Sequence, residues 1–242
     1  MKLPSCFLVV LCLCFAYVLS EVVDAPEEVV SGPEKVVDVP EEVIEGMKEV
    51  SVCILHGPGR PESYLDLVLR GYENVSARVI DPSNESVPEL PANENIPLAV
   101  RVAGLHVAYA LGECASGGTP WVLLAEDDMV PCEGALDTVD SALADSTDYS
   151  TVFFSKFSRA FAMRREVVGA FAAAVQRNLE LKPYDIVLRT GIWLPEGERM
   201  LVYPTNLFHH IGALSTVPER NSADFIQKHG GLRADVCGEP LV

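Results

Sequence analysis

Five consecutive apolar residues, Trp121-Val122-Leu123-Leu124-Ala125, run directly into three carboxylates, Glu126-Asp127-Asp128. A run of that length with no polar alternation suits a strand covered on both faces, at the centre of a sheet with helices above and below. Three ionised carboxylates at the end of such a strand are costly, because each loses water and each repels its neighbour. Two arrangements relieve that cost. A hard divalent cation, Mn²⁺ or Mg²⁺, takes oxygen ligands and keeps positions for water and substrate phosphates, so one or two carboxylates suffice. Alternatively the acids form a solvated, helix-capping turn before Pro131, with Asp128 as the capping residue. In open α/β sheets the ligand crevice lies outside the carboxyl ends of the strands, which is where this cluster falls.

Around that strand the chain alternates between two periodicities. A β-branched run at 48–55 stops at His56-Gly57-Pro58-Gly59-Arg60-Pro61, a loop signal. Helical spacing then covers 63–71, a short strand 77–80, a polar proline-rich loop 81–97, and a helix 98–114 that ends at Ser116-Gly117-Gly118. Beyond the acidic cluster the pattern predicts a helix at 132–143, a strand at 151–155, helices at 164–179 and 183–193, and a strand at 200–203. The tail after His210 is too polar and glycine-rich to assign. Alternating strands and helices predict an α/β fold, a single domain with a mostly parallel central sheet flanked by helices.

That domain spans 49–242, and the chain ahead of it differs in kind. Residues 1–20 carry Lys2 and then an apolar run from Phe7 to Leu19, a signal-peptide pattern that is also nearly long enough for a membrane anchor. Both readings place the rest of the chain in the secretory lumen, secreted if the signal is cleaved and retained if it is not. Residues 21–48 read as a disordered stalk in which Val22-Val23-Asp24-Ala25-Pro26-Glu27-Glu28-Val29 returns as Val36-Val37-Asp38-Val39-Pro40-Glu41-Glu42-Val43. Acid-rich, proline-punctuated and without aromatic residues, it cannot bury enough surface to order itself.

The formal net charge of −17 argues against a nucleic-acid partner, which needs clustered Lys and Arg. An acidic protein still binds a diphosphate when a metal supplies the positive charge. Two sequons, Asn74-Val75-Ser76 and Asn84-Glu85-Ser86, suit a lumenal compartment. Outside the first twenty residues the cysteines are Cys53, Cys114, Cys132 and Cys237, which allow two disulfides in any of three pairings. Their spacing fails the close pairs of a structural zinc site.

The segment WVLLAEDDMV at 121–130 resembles the acidic metal motif of the N-acetylglucosaminyltransferase IV family, which branches N-glycans, and of the related GalNAc transferase of GPI anchors. The resemblance extends in order over 50–216. Residues 52–71 are similar to the family's first strand and helix, with Arg60 and Ser63-Tyr64-Leu65 in matching places. TVFFSKFSRAF at 151–161 resembles the segment past the metal motif, KPYDIVLRTGIW at 182–193 the following helix, and PTNLFHHIGALST at 204–216 a C-terminal loop around a histidine.

The resemblance implies a GT-A-like, metal-dependent, inverting glycosyltransferase of the Golgi. It would move a hexosamine from a UDP-sugar to a glycan on a glycoprotein or a GPI anchor. Asp128 would ligate Mn²⁺ or Mg²⁺, with His210 as second ligand, although a histidine beside another in an aromatic loop also suits a structural role. Glu126 and Asp127 would contact ribose or ligated water, and Arg60 would lie on the donor side. Arg101 sits where it would reach a phosphate or merely solvate a helix face. Asp185 would be the general base for the acceptor hydroxyl, or simply an acid at a helix start. Arg189 stands where the resemblance leads one to expect a further acid, and the stretch 72–76 is shorter than the family's strand and loop. Both departures admit a third reading, a lumenal protein that keeps the fold without the reaction.

Overall fold

The computed structural model describes residues 47, 49–57, 62–85, 88–156, 159–211 and 236–241. The signal or anchor, the stalk, Arg60 and Ser86 lie outside the described residues. The strands are β1 (Val50–Leu55), β2 (Ala77–Ile80), β3 (Trp121–Glu126), β4 (Met129–Pro131), β5 (Thr151–Phe153), β6 (Ala160–Arg164), β7 (Met200–Val202) and β8 (Phe208–His210). The helices are α1 (Glu62–Gly71), α2 (Leu98–Ala115), α3 (Ala135–Asp145), α4 (Arg165–Asn178) and α5 (Tyr184–Thr190), with a 3-10 turn at Pro82–Asn84.

Six strands form one sheet in the order β2-β1-β3-β6-β5-β7, and β4 pairs with β8 in a small second sheet. β1 runs parallel to β2 and β3, and β5 parallel to β7, while β6 alone opposes both of its neighbours. The sheet is therefore mostly parallel, as the alternating pattern predicts. β3 lies inside it with Trp121 to Ala125 all buried.

The period of two along β3 divides the core. Val122 and Leu124 join Cys53, Leu55, Phe161 and Met163 under α2, α4 and α5. Leu123 and Ala125 face the other way with Val52, Ile54 and Ala162, under α1 and α3. That second core also takes Met129 from β4 and Phe208 from β8. Full burial of one such Leu or Phe stabilises the fold by about 1.5–3 kcal/mol.

Two features fix α2. Cys53 of β1 is joined to Cys114 of α2, which leaves Cys132 joined to Cys237 and selects one of the three pairings. At Gly104 a Cβ would stand 3.2 Å from Cβ of Tyr184 and 3.4 Å from Cγ1 of Val175, so α2 packs at glycine distance against α4 and the start of α5.

The elements differ from the sequence expectation at short or punctuated places. The helix expected from residue 132 begins at Ala135, because Gly134 turns the chain at φ 68° just before it. The helix expected over 183–193 ends at Thr190, where Gly191 adopts φ 64° and its N–H bonds the Leu188 carbonyl. The sequence pattern does not predict β6. This strand closes a short antiparallel connection with β5, and a tight return of this kind needs no crossover helix. β4 and β8, three residues each, are too short to carry a readable period.

Candidate active site

The carboxyl ends of β1, β2 and β3 meet at one edge of the sheet. The His56 amide donates to the Ile80 carbonyl at 2.9 Å, and the Asp127 amide to the Leu55 carbonyl at 3.0 Å. β6 starts at that same edge, where the Glu126 amide donates to the Arg159 carbonyl. The acidic cluster is thus pinned by backbone bonds on both sides before its side chains make any contact.

Each carboxylate has a different partner. Tyr184, the first residue of α5, donates its hydroxyl to Glu126 Oε1 at 3.1 Å. Asp127, 1% exposed, accepts on Oδ2 from His56 Nδ1 at 2.7 Å and from the Gly57 amide at 3.0 Å. Asp128, fully buried, meets His210 Nε2 through Oδ2 at 2.9 Å, and its carbonyl accepts from the Ile211 amide. These bonds offset the desolvation that would otherwise protonate or expel such buried acids.

His210 reaches Asp128 from 82 residues downstream because β8 pairs antiparallel with β4, aligning Met129 with His210. Its Nδ1 is buried with no hydrogen-bond partner among the described residues. Nε2 is thus the ring nitrogen that meets Asp128.

A divalent cation with ligands near 2.1 Å holds adjacent ligand atoms about 3 Å apart, so the Asp128–His210 pair fits one edge of such a site. Among the described residues no three His, Cys, Asp or Glu side chains converge to form a full protein cage. A cation here would complete its shell with water and phosphate oxygens, as Mg²⁺-type sites do.

The remaining expected residues are spread around this edge. Asp185 is half-buried in the first turn of α5, beside the tyrosine that holds Glu126. Arg189 is exposed in the last turn of the same helix. Arg101 is 3% exposed and committed within the protein: Nη1 donates to Glu180 Oε1 at 2.6 Å and Nη2 to the Pro91 carbonyl at 2.8 Å. Asn93 donates to Glu180 Oε2 as well and holds that carboxyl below the usual glutamate range, with Arg101 adding to the effect. Arg101 thereby clamps the loop before α2 to the turn before α5.

Sequence reasoning missed His56 and Tyr184. Both stand beside features that the sequence does single out, the glycine loop and Asp185. Only the β1–β3 register, which aligns Leu55 with Glu126, and the close packing at Gly104 bring them onto the cluster.

No family profile matches the sequence, and no curated protein matches it. Solved structures do. One is a glycosyltransferase involved in the glycosylation of the major capsid of PBCV-1, at 14% identity and a TM-score of 0.47, covering 70% of this chain and 96% of that one. Another is described as a nucleotide-diphospho-sugar transferase from Desulfovibrio desulfuricans G20, at 17% identity and a TM-score of 0.36, covering 65% of this chain and 80% of that one.

Proposed function

We propose that this chain is a glycosyltransferase using a nucleotide-sugar donor, and more narrowly an inverting, metal-dependent enzyme that transfers a hexosamine from a UDP-sugar to a glycan in the secretory pathway. The observation that supports this most directly is the Asp128–His210 pair, 2.9 Å apart at the carboxyl end of the central strand. Asp128 and His210 would hold Mn²⁺ or Mg²⁺, which when bound neutralises charge on a leaving diphosphate. Glu126 and Asp127, fixed by Tyr184 and by His56 with the Gly57 amide, offer oriented carboxylates to the ribose or to water at that edge. Asp185, one residue past the tyrosine that touches Glu126, would on this reading accept the proton of the attacking hydroxyl.

Titration of the full chain with UDP in the presence and absence of Mn²⁺ tests the donor side. Mn²⁺-dependent UDP binding that Asp128→Ala abolishes is the expected result. Asp185→Asn should leave that binding intact while lowering transfer at least a hundredfold, in the range of a lost general base.

A second reading, a lumenal protein that keeps the fold without transfer, is favoured by a specific feature. All three carboxylates already have protein partners. On that reading neither Mn²⁺ nor UDP binds.

A further inference from the structure

β8, which carries His210, buries Phe208 in the second core, and the Leu207 amide just ahead of it donates to the Phe154 carbonyl at 2.9 Å. The strand is three residues long and, among the described residues, pairs only with β4. The chain leading into it is fixed by a strap at the C-terminus, residues 236–241. Asn206, 1% exposed and two residues ahead of β8, lies at the junction. Its amide donates to the Glu239 carbonyl at 2.7 Å, and its carbonyl accepts from the Gly238 amide at 2.9 Å. Its side-chain Nδ2 donates at once to the Phe208 carbonyl in β8 at 2.7 Å and to the Val236 carbonyl in the strap at 3.0 Å.

The strap is anchored at three more points. Leu241 donates to the Pro204 carbonyl at 3.0 Å, Glu239 pairs with Lys156 at 2.7 Å, and Cys237 is bonded to Cys132, the residue directly after β4. The Cys132 amide in turn donates to the Leu207 carbonyl at 2.9 Å. Both strands of the small sheet are therefore gripped from the same side, β4 covalently through Cys132 and β8 by hydrogen bonds through Asn206. Asp128 precedes one strand and His210 ends the other.

Val236, Cys237, Gly238 and Pro240 are exposed and Leu241 is half-buried, so the strap itself buries little apolar surface. Its contacts converge on the two strands that set the Asp128–His210 distance. We propose that the strap is the positioning element of that pair: Asn206 is a positioning residue, and the Cys132–Cys237 bond holds the strap where Asn206 can bridge it to β8. The proposal rests on reading Asp128 and His210 as the cation-binding pair, and its test separates the two.

Three forms of the full chain are compared: wild type, Cys132→Ser with Cys237→Ser, and Asn206→Ala. Two readouts are taken. One is Mn²⁺ affinity with UDP present, and the other is the ring N–H proton of His210 by NMR without metal, which a bond to Asp128 shifts downfield and protects from exchange. The near-ultraviolet circular dichroism of Trp121 and Trp193 verifies that each variant keeps its main core. The expected result is at least a tenfold weaker Mn²⁺ affinity and loss of the protected His210 proton in both variants. Variants that bind Mn²⁺ like wild type and keep the His210 proton overturn the strap proposal, while Mn²⁺ binding by wild type that Asp128→Ala abolishes preserves the metal reading. If wild type does not bind Mn²⁺ but the variants lose the His210 proton, the positioning role stands and the metal reading falls.

Discussion

The two faces of the sheet are each closed by one disulfide, and the two disulfides sit in opposite surroundings. Cys53 and Cys114 are both 1% exposed, inside a continuous core of β1, β3, β6, α2, α4 and α5. Cys132 is half-buried and Cys237 exposed, and they join a short strand to a surface strap. Chain entropy hardly distinguishes them: loops spanning 61 and 105 residues give about 4 and about 5 kcal/mol. The difference lies in what each bond holds in place. The first joins a helix to a strand already packed against it, whereas the second joins a small sheet to an exposed strap. One bond lies inside a core, and the other stands beside the Asp128–His210 pair.

Away from the strap, the largest effect is expected from the buried bond. Replacing Cys53 and Cys114 together by alanine should lower unfolding free energy by about 4 kcal/mol, read from the denaturant midpoint at unchanged slope. The folded fraction should still show the protected His210 proton. If that proton vanishes while the protein is folded, the two faces are not independent and the contrast fails.

A smaller effect is expected where α2 meets α5. Gly104→Val would drive methyl groups into Tyr184 and Val175, which already stand 3.2 and 3.4 Å from the place of a Cβ. Overpacking of this kind costs about 1–3 kcal/mol. Moving α5 outward also withdraws Tyr184 from Glu126, so the variant should weaken UDP binding beyond its loss of stability. Tyr184→Phe isolates that second part. It removes one hydroxyl bond to a carboxylate, an effect of about 1–2 kcal/mol, and keeps the packing. If Tyr184→Phe leaves UDP affinity unchanged, Glu126 is no donor-side residue.

These contrasts explain what could be read from the sequence. β3 was legible because its apolar run is continuous and its acids follow at once, and α2 and α4 because their apolar spacing is sustained over 18 and 14 residues. The small sheet was not legible. Met129–Pro131 and Phe208–His210 hold too few residues for any period, and their pairing is a long-range event fixed by a disulfide whose partner the sequence left open. The site followed the same division. Glu126, Asp127 and Asp128 stood out as a run, and a resemblance drew attention to His210. His56 and Tyr184 act through a strand register and a helix contact, which no local pattern encodes. Arg101 shows the reverse: the sequence offered it either a phosphate or a solvated helix face, but it is buried with Glu180 as a partner inside the protein.

The smallest expected effect concerns that last pair and is a matter of pH. Asn93 foremost, with Arg101, holds the Glu180 carboxyl below its ordinary value. A carboxyl whose value is depressed on folding contributes stability above its unfolded value and loses it as pH falls through the folded one. The free-glutamate value near 4.3 sets the upper bound of that window. Glu180 is substantially exposed, so solvent screens the pair and the contribution is modest. Wild type should therefore be slightly more stable than Glu180→Gln at pH 7, and the gap should narrow from about pH 4 downward. Because this clamp acts on the turn before α5 and not on the small sheet, the His210 proton should be the same in both proteins at pH 7. A stability gap that stays constant down to about pH 2 would remove Glu180 ionisation as its cause, leaving Asn93 and Arg101 as packing partners of that turn.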